Sequence, residues 1–186
     1  MNWISVGVAS WVFLGMEVGL RDAFQLGSND VTPHFAVVLV AFVSAWARRR
    51  QAMWHALLMG VLLDLLTNVP LASGETVTVV GPNALGVLCG AYFAYLLRAW
   101  MYRRHVFAIA FLSIGAALVS SVVALALVRA RGVFEPVNTG SAASALGRAG
   151  LSALYTGLAA LPLAWLLGLV RPVFGFPTVG RVGSGR

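Results

Sequence analysis

Charge is scarce in this chain. Only 10% of its 186 residues are charged and 60% are hydrophobic, whereas a soluble domain carries roughly 25% charged residues. Lysine is absent, so all 13 basic residues are arginine. The one cysteine, Cys89, lies inside an apolar run, which excludes an intramolecular disulfide and a cysteine-cluster metal site. Its three histidines, His34, His55 and His105, are scattered at segment ends or flanks without nearby carboxylates. They make no zinc-like ligand pattern and read as interfacial residues. There is no Gly-x-Ser-x-Gly, Walker A or His-Glu-x-x-His motif, and no serine has a histidine and an acid at a recognisable spacing. Nothing in these patterns identifies an enzyme, and no cofactor is implied.

What is present is apolar sequence in long runs, with a mean hydropathy of +0.87. Roughly 20 apolar residues cross a bilayer core about 30 Å thick. The pattern predicts an all-α polytopic membrane protein, one domain over residues 1–170, with helices at about 3–20, 34–47, 52–66, 82–100, 106–128 and 151–170. Pro33 is placed to open the second helix and Pro162 to kink the sixth. The second and third segments are short, and flanking arginines that snorkel would ease their crossing. Residues 67–80 are an uncertain connector in which Thr76-Val77-Thr78-Val79 reads as a short extended piece. A Gly-, Ser- and Ala-rich loop is expected over 132–150, and residues 171–186 are expected to form a disordered cytoplasmic tail. The N-terminus, Met1-Asn2-Trp3, lacks a basic leader, so the first segment is expected to be retained.

A sequence pI near 11 raises nucleic acid as a partner, but the arginines form no stripe with interleaved aromatics. They sit in the loops between apolar segments and report membrane orientation instead. Arg48, Arg49, Arg50, Arg98, Arg103, Arg104, Arg171, Arg181 and Arg186 fall on one side with no acid. Arg21, Arg129, Arg131 and Arg148 fall on the other, with Asp22, Asp30, Glu75 and Glu135. Nine arginines against four place both termini in the cytoplasm. Trp3, Trp46, Trp54, Trp100 and Tyr102 near segment ends fit an interfacial belt.

Two acids, Glu17 and Asp64, lie within apolar segments, where a charge is costly and needs a reason. They read either as a cation, proton or partner site, or as structural groups. In the structural reading Glu17 pairs with Arg21 at i,i+4, and Asp64 bonds loop amides or hydroxyls near its helix end. Gly86, Gly90 and Ala94 recur every four residues on segment four, and Gly15 and Gly19 do so on segment one. Such small-residue faces let helices approach closely, within the bundle or against a partner or second copy. Ser120 and Ser121 are adjacent, and serines in such helices usually back-bond to a carbonyl.

Around the hairpin of segments three and four the sequence resembles the rod shape-determining MreD family. The resemblance rests on Pro33, then Met59-Gly60-Val-Leu-Leu-Asp64-Leu-Leu66, Gly81-Pro-Asn-Ala-Leu85 and Ala91-Tyr-Phe-Ala-Tyr-Leu96. It covers residues 33–97, and chain length and segment layout extend it to the whole. It implies a fold similar to the six-helix substrate-binding subunits of energy-coupling-factor transporters. It also implies a non-catalytic scaffold in the bacterial inner membrane. That scaffold would bind MreC and join MreB, RodA and a class B penicillin-binding protein in the elongation complex for lateral peptidoglycan synthesis and cell shape. The competing expectation is a vitamin-binding subunit of a transporter, with a pocket drawn from Glu17, Asp64, Asn68 and Glu75 and stacking by Trp11 or Phe13. Homo-oligomerisation fits either.

Overall fold

In a computed structural model the described residues are 1–26, 31–67, 69–70, 76–100, 106–131 and 141–176. Asp30, Asn68, Glu75, Tyr102, Arg103, Arg104, His105, Glu135, Arg181 and Arg186 lie outside them, as do the expected loop over 132–140 and the tail from 177. Six helices follow in order: α1 (Trp3–Gly19), α2 (Phe35–Trp46), α3 (Arg49–Leu66), α4 (Pro82–Leu97), α5 (Val106–Arg131) and α6 (Ala142–Val170). A 3-10 turn, Arg171–Phe174, is the last regular element of the described chain. Between α3 and α4 the short strands β1 (Val69–Pro70) and β2 (Thr76–Val77) pair antiparallel, with Val69 opposite Val77. The extended piece expected at 76–79 is thus confined to its first two residues.

Helix α5 and the stretch Ala143–Phe174 are each long and apolar enough to cross a membrane, while α1, α2 and α4 are shorter apolar helices. Several boundaries differ from the sequence reading. Helix α3 starts at Arg49 rather than 52, α5 runs on to Arg131, and α6 starts at Ala142 rather than 151. The early start of α6 has a local cause: the Ser141 side chain accepts from the Ser144 amide as an N-cap, ahead of an alanine-rich turn of high helix propensity. Pro162 lies inside α6, which continues to Val170.

Helix α2 is the centre. Every residue from Phe35 to Ala45 is buried, and all five other helices pack on it. A helix that is apolar all round belongs inside a packed body. At 12 residues it is only about 18 Å long by helical rise, and its neighbours supply what its ends lack. At its start the His34 amide donates to Thr156 Oγ1 and the Ala36 amide to Glu17. At its end Arg98 donates to the carbonyls of Ser44 and Ala47 at 2.9 and 2.6 Å. The short helix is thus bonded at both ends by groups from other helices. Pro33 lies one residue outside the His34 cap instead of in the first turn, because the helix begins at Phe35.

The bundle therefore has two unlike ends. One, the arginine end, carries Arg48, Arg49, Arg50, Arg98 and Arg171 with no described acid, while Arg21, Arg129, Arg131 and Arg148 fall at the other. At the arginine end the Asn2 amide meets the Phe174 carbonyl at 2.8 Å, Arg171 stacks on Trp46 and Arg98 on Tyr95. The start of the tail belongs to this end. Residues 171–174 are ordered, and Phe174 is buried against Phe42, which corrects the expectation of disorder from 171. The other end holds Glu17 and Asp64.

Candidate functional site

Asp64 is built into the junction of α3 and α4. It is 1% exposed, and its carboxylate accepts from three backbone amides at the start of α4. These are Gly81 at 2.8 Å and Ala84 at 2.9 Å on one oxygen, and Asn83 at 2.9 Å on the other. A carboxylate at a helix N-terminus satisfies otherwise unpaired donors and meets the positive end of the helix dipole. Here the cap comes from another helix. One turn earlier, Gly60 lets α4 come close enough: a Cβ there would lie 2.5 Å from Ala84 Cα and 2.8 Å from the Asn83 carbonyl. Gly81 turns the chain at φ +133°, a conformation open to glycine, and Pro82 opens the helix. Gly60, Asp64 and Gly81 are three parts of one clamp.

Glu17 performs the same task for α2, less completely. One oxygen accepts from the Ala36 amide at 3.0 Å, and the other lies 3.1 Å from His34 Nδ1. The expected pair with Arg21 does not form. Helix α1 ends at Gly19, so Arg21 is no longer one helical turn away, and His34 is the one ion-pair partner of Glu17 among the described residues.

Beside Glu17 is a small polar cavity of about 160 Å³, lined by Arg21, Thr32, His34, Thr67 and Asn83 among others. Ligand pockets for organic molecules run to roughly 300–1,000 Å³. As bounded by the described residues this space holds a few waters. Neither Trp11 nor Phe13 lines this cavity, nor does Asp64; Phe13 instead lines an apolar groove of about 500 Å³ between α1 and α6. No group of three metal-ligating side chains occurs among the described residues.

The glycine faces separate cleanly. A Cβ on Gly86 would lie 2.6 Å from the Ser120 carbonyl, and one on Gly90 would lie 2.5 Å from the Ala116 carbonyl and strike the Ser120 hydroxyl. That face of α4, with the fully buried Ala94, is filled by α5. Replacing Gly90 by leucine would therefore break the bundle before it tested any partner. Gly15 and Gly19 have nothing within 4 Å and lie exposed on α1.

His55, expected at an interface, is a core residue. It is 4% exposed, with Nε2 3.0 Å from Ser10 Oγ. Ser10 gives its own proton to the Val6 carbonyl, so His55 is the donor through Nε2, and α1 is tied to α3. The periodicity held the signal: Ala52, His55, Ala56, Met59, Gly60, Leu63 and Asp64 form the buried face of α3. Ser113 and Ser120 bond the carbonyls four residues back, as serines in such helices do.

Compared with family models, curated proteins and solved structures, the chain has no match in any of the three.

Proposed function

We propose that this chain is a non-catalytic scaffold of the bacterial plasma membrane, of the MreD kind. Its six helices cross the bilayer with the arginine end and both termini in the cytoplasm. It binds MreC and supports the elongation complex that lays down lateral peptidoglycan. The observation that carries this reading is the clamp at the α3–α4 junction. The residues that carry the MreD resemblance, Gly60, Asp64 and Gly81, are the ones that lock these two helices together. Both intramembrane acids are engaged on helix starts, which supports a structural use over transport or proton transfer. The placement of the ends follows the arginine bias.

Tagged protein purified in mild detergent, with co-purifying species identified by mass, tests the reading. A stoichiometric MreC, one span with a large extracytoplasmic part, is the expected result. A vitamin-sized ligand with no such partner would overturn it in favour of a transporter binding subunit.

A further inference from the structure

At the arginine end, Arg48, Arg49 and Arg50 are all exposed. Arg49 reaches across to α4 and lies 5.3 Å from the ring centre of Tyr92. Among the described residues neither Arg48 nor Arg50 joins an ion pair or donates a side-chain hydrogen bond. Among the described residues no acid lies at this end to neutralise them: Glu17, Asp22 and Asp64 are all at the opposite end.

The surface beneath these arginines is apolar without a break. Down the exposed face of α3, Arg50 is followed at helical spacing by Trp54 (52% exposed), Leu58 (55%), Leu62 (36%) and Leu65 (55%). On α4, which packs against α3, Cys89, Tyr92 and Leu96 are exposed likewise. Read from the end inward along α3, the order is cation, aromatic ring, aliphatic chain. An acidic protein segment would use only the first of these. A phospholipid uses all three, and arginine matches a phosphate with two parallel hydrogen bonds.

We propose that the α3–α4 seam at the arginine end is a binding site for an anionic phospholipid. Arg48, Arg49 and Arg50 hold the headgroup phosphate, and the exposed faces of α3 and α4 carry the acyl chains. The inference rests on the membrane placement above and not on the scaffold role.

Cys89 makes the test direct, because it is the only cysteine, is exposed and lies one turn from Tyr92 on the same face. Nine residues of helix separate it from Arg98, about 13 Å by helical rise, which is acyl-chain depth. The full chain, labelled at Cys89 with bimane, is placed in phosphatidylcholine nanodiscs holding a small equal fraction of brominated phosphatidylglycerol or brominated phosphatidylcholine. At low salt the anionic lipid is expected to quench at least about three-fold more strongly. In the double variant R48Q/R50Q, and in the unaltered protein near 1 M salt where screening acts within about 3 Å, the ratio is expected to fall to about one. Equal quenching by both lipids at low salt overturns the site, as does a preference that survives R48Q/R50Q. Should that variant fail to fold, the salt series on the unaltered protein decides alone. Loss of the preference on adding inorganic phosphate, with chloride at matched ionic strength leaving it intact, would identify a free-phosphate site and overturn the lipid assignment. Failure to enter nanodiscs would overturn the membrane placement itself.

Discussion

The two carboxylates set in apolar helices, Glu17 and Asp64, solve one problem to different degrees. Asp64 uses both oxygens on backbone amides and is 1% exposed. Glu17 uses one oxygen on an amide and the other on an imidazole, with its side chain 15% exposed beside the small polar cavity. Each caps a helix other than its own, and each lies where an isolated charge would be costly. The difference is in the partners: amides can only donate, whereas the imidazole of His34 can donate or accept at Nδ1. The start of α4 is therefore fixed by the charge itself, and the start of α2 by an arrangement that tolerates an amide in place of the acid.

Asn in place of Asp64 breaks the stronger half of this comparison. An Asn side chain presents one oxygen and one NH2 group, so its NH2 must face a backbone donor whichever way the group turns. Unsatisfied amides in a water-poor setting are expensive. The expected loss for D64N is about 3 kcal/mol, or roughly 10 °C in Tm for a chain of this size, read by thermal unfolding in detergent. A loss below about 1 kcal/mol would mean that water or another group shares those amides.

This contrast also marks how far the sequence could be read. Asp64 was legible because an acid in an apolar run demands a partner, and the loop amides of the structural reading are the partners it has. Glu17 was assigned to Arg21 because helical spacing sees only neighbours on one helix. The actual partner lies 17 residues on, beyond the end of α1. The apolar run of α2 was visible, yet its burial by five neighbours was not, since a helix facing lipid and one facing protein have the same composition. A helix starting at 52 makes His55 a flank residue, whereas α3 begins at Arg49 and places it a turn and a half inside. The outset of α6 was masked by glycine and serine between 140 and 150 that read as loop, although Ser141 and the alanines after it supply a cap and a helix-forming turn.

Gln in place of Glu17 sharpens the weaker half. Its oxygen keeps the Ala36 amide and its NH2 can donate to His34 Nδ1 once the imidazole carries its proton on the other nitrogen. What remains is the loss of charge at the start of α2, about 0.3–1 kcal/mol, or a Tm lower by about 1–4 °C in the same assay. If E17Q and D64N fall equally, the distinction between amide and imidazole partners is wrong.

The effect is equally small but changes sign where no neighbour intervenes. At Gly15 an added methyl meets nothing within 4 Å, so alanine should replace the helical cost of glycine with a gain of roughly 0.5–1 kcal/mol. A Tm unchanged or raised by about 1–4 °C is the expected reading for G15A. The opposite sign is expected at Gly90, whose added carbon would meet the Ala116 carbonyl at 2.5 Å. The pair separates the bundle from its surroundings, because a lowered Tm for G15A would mean that a second copy or a lipid already presses on α1. With Tm unchanged or raised, any loss of the proposed partner on altering Gly15 reports on that contact and not on the fold.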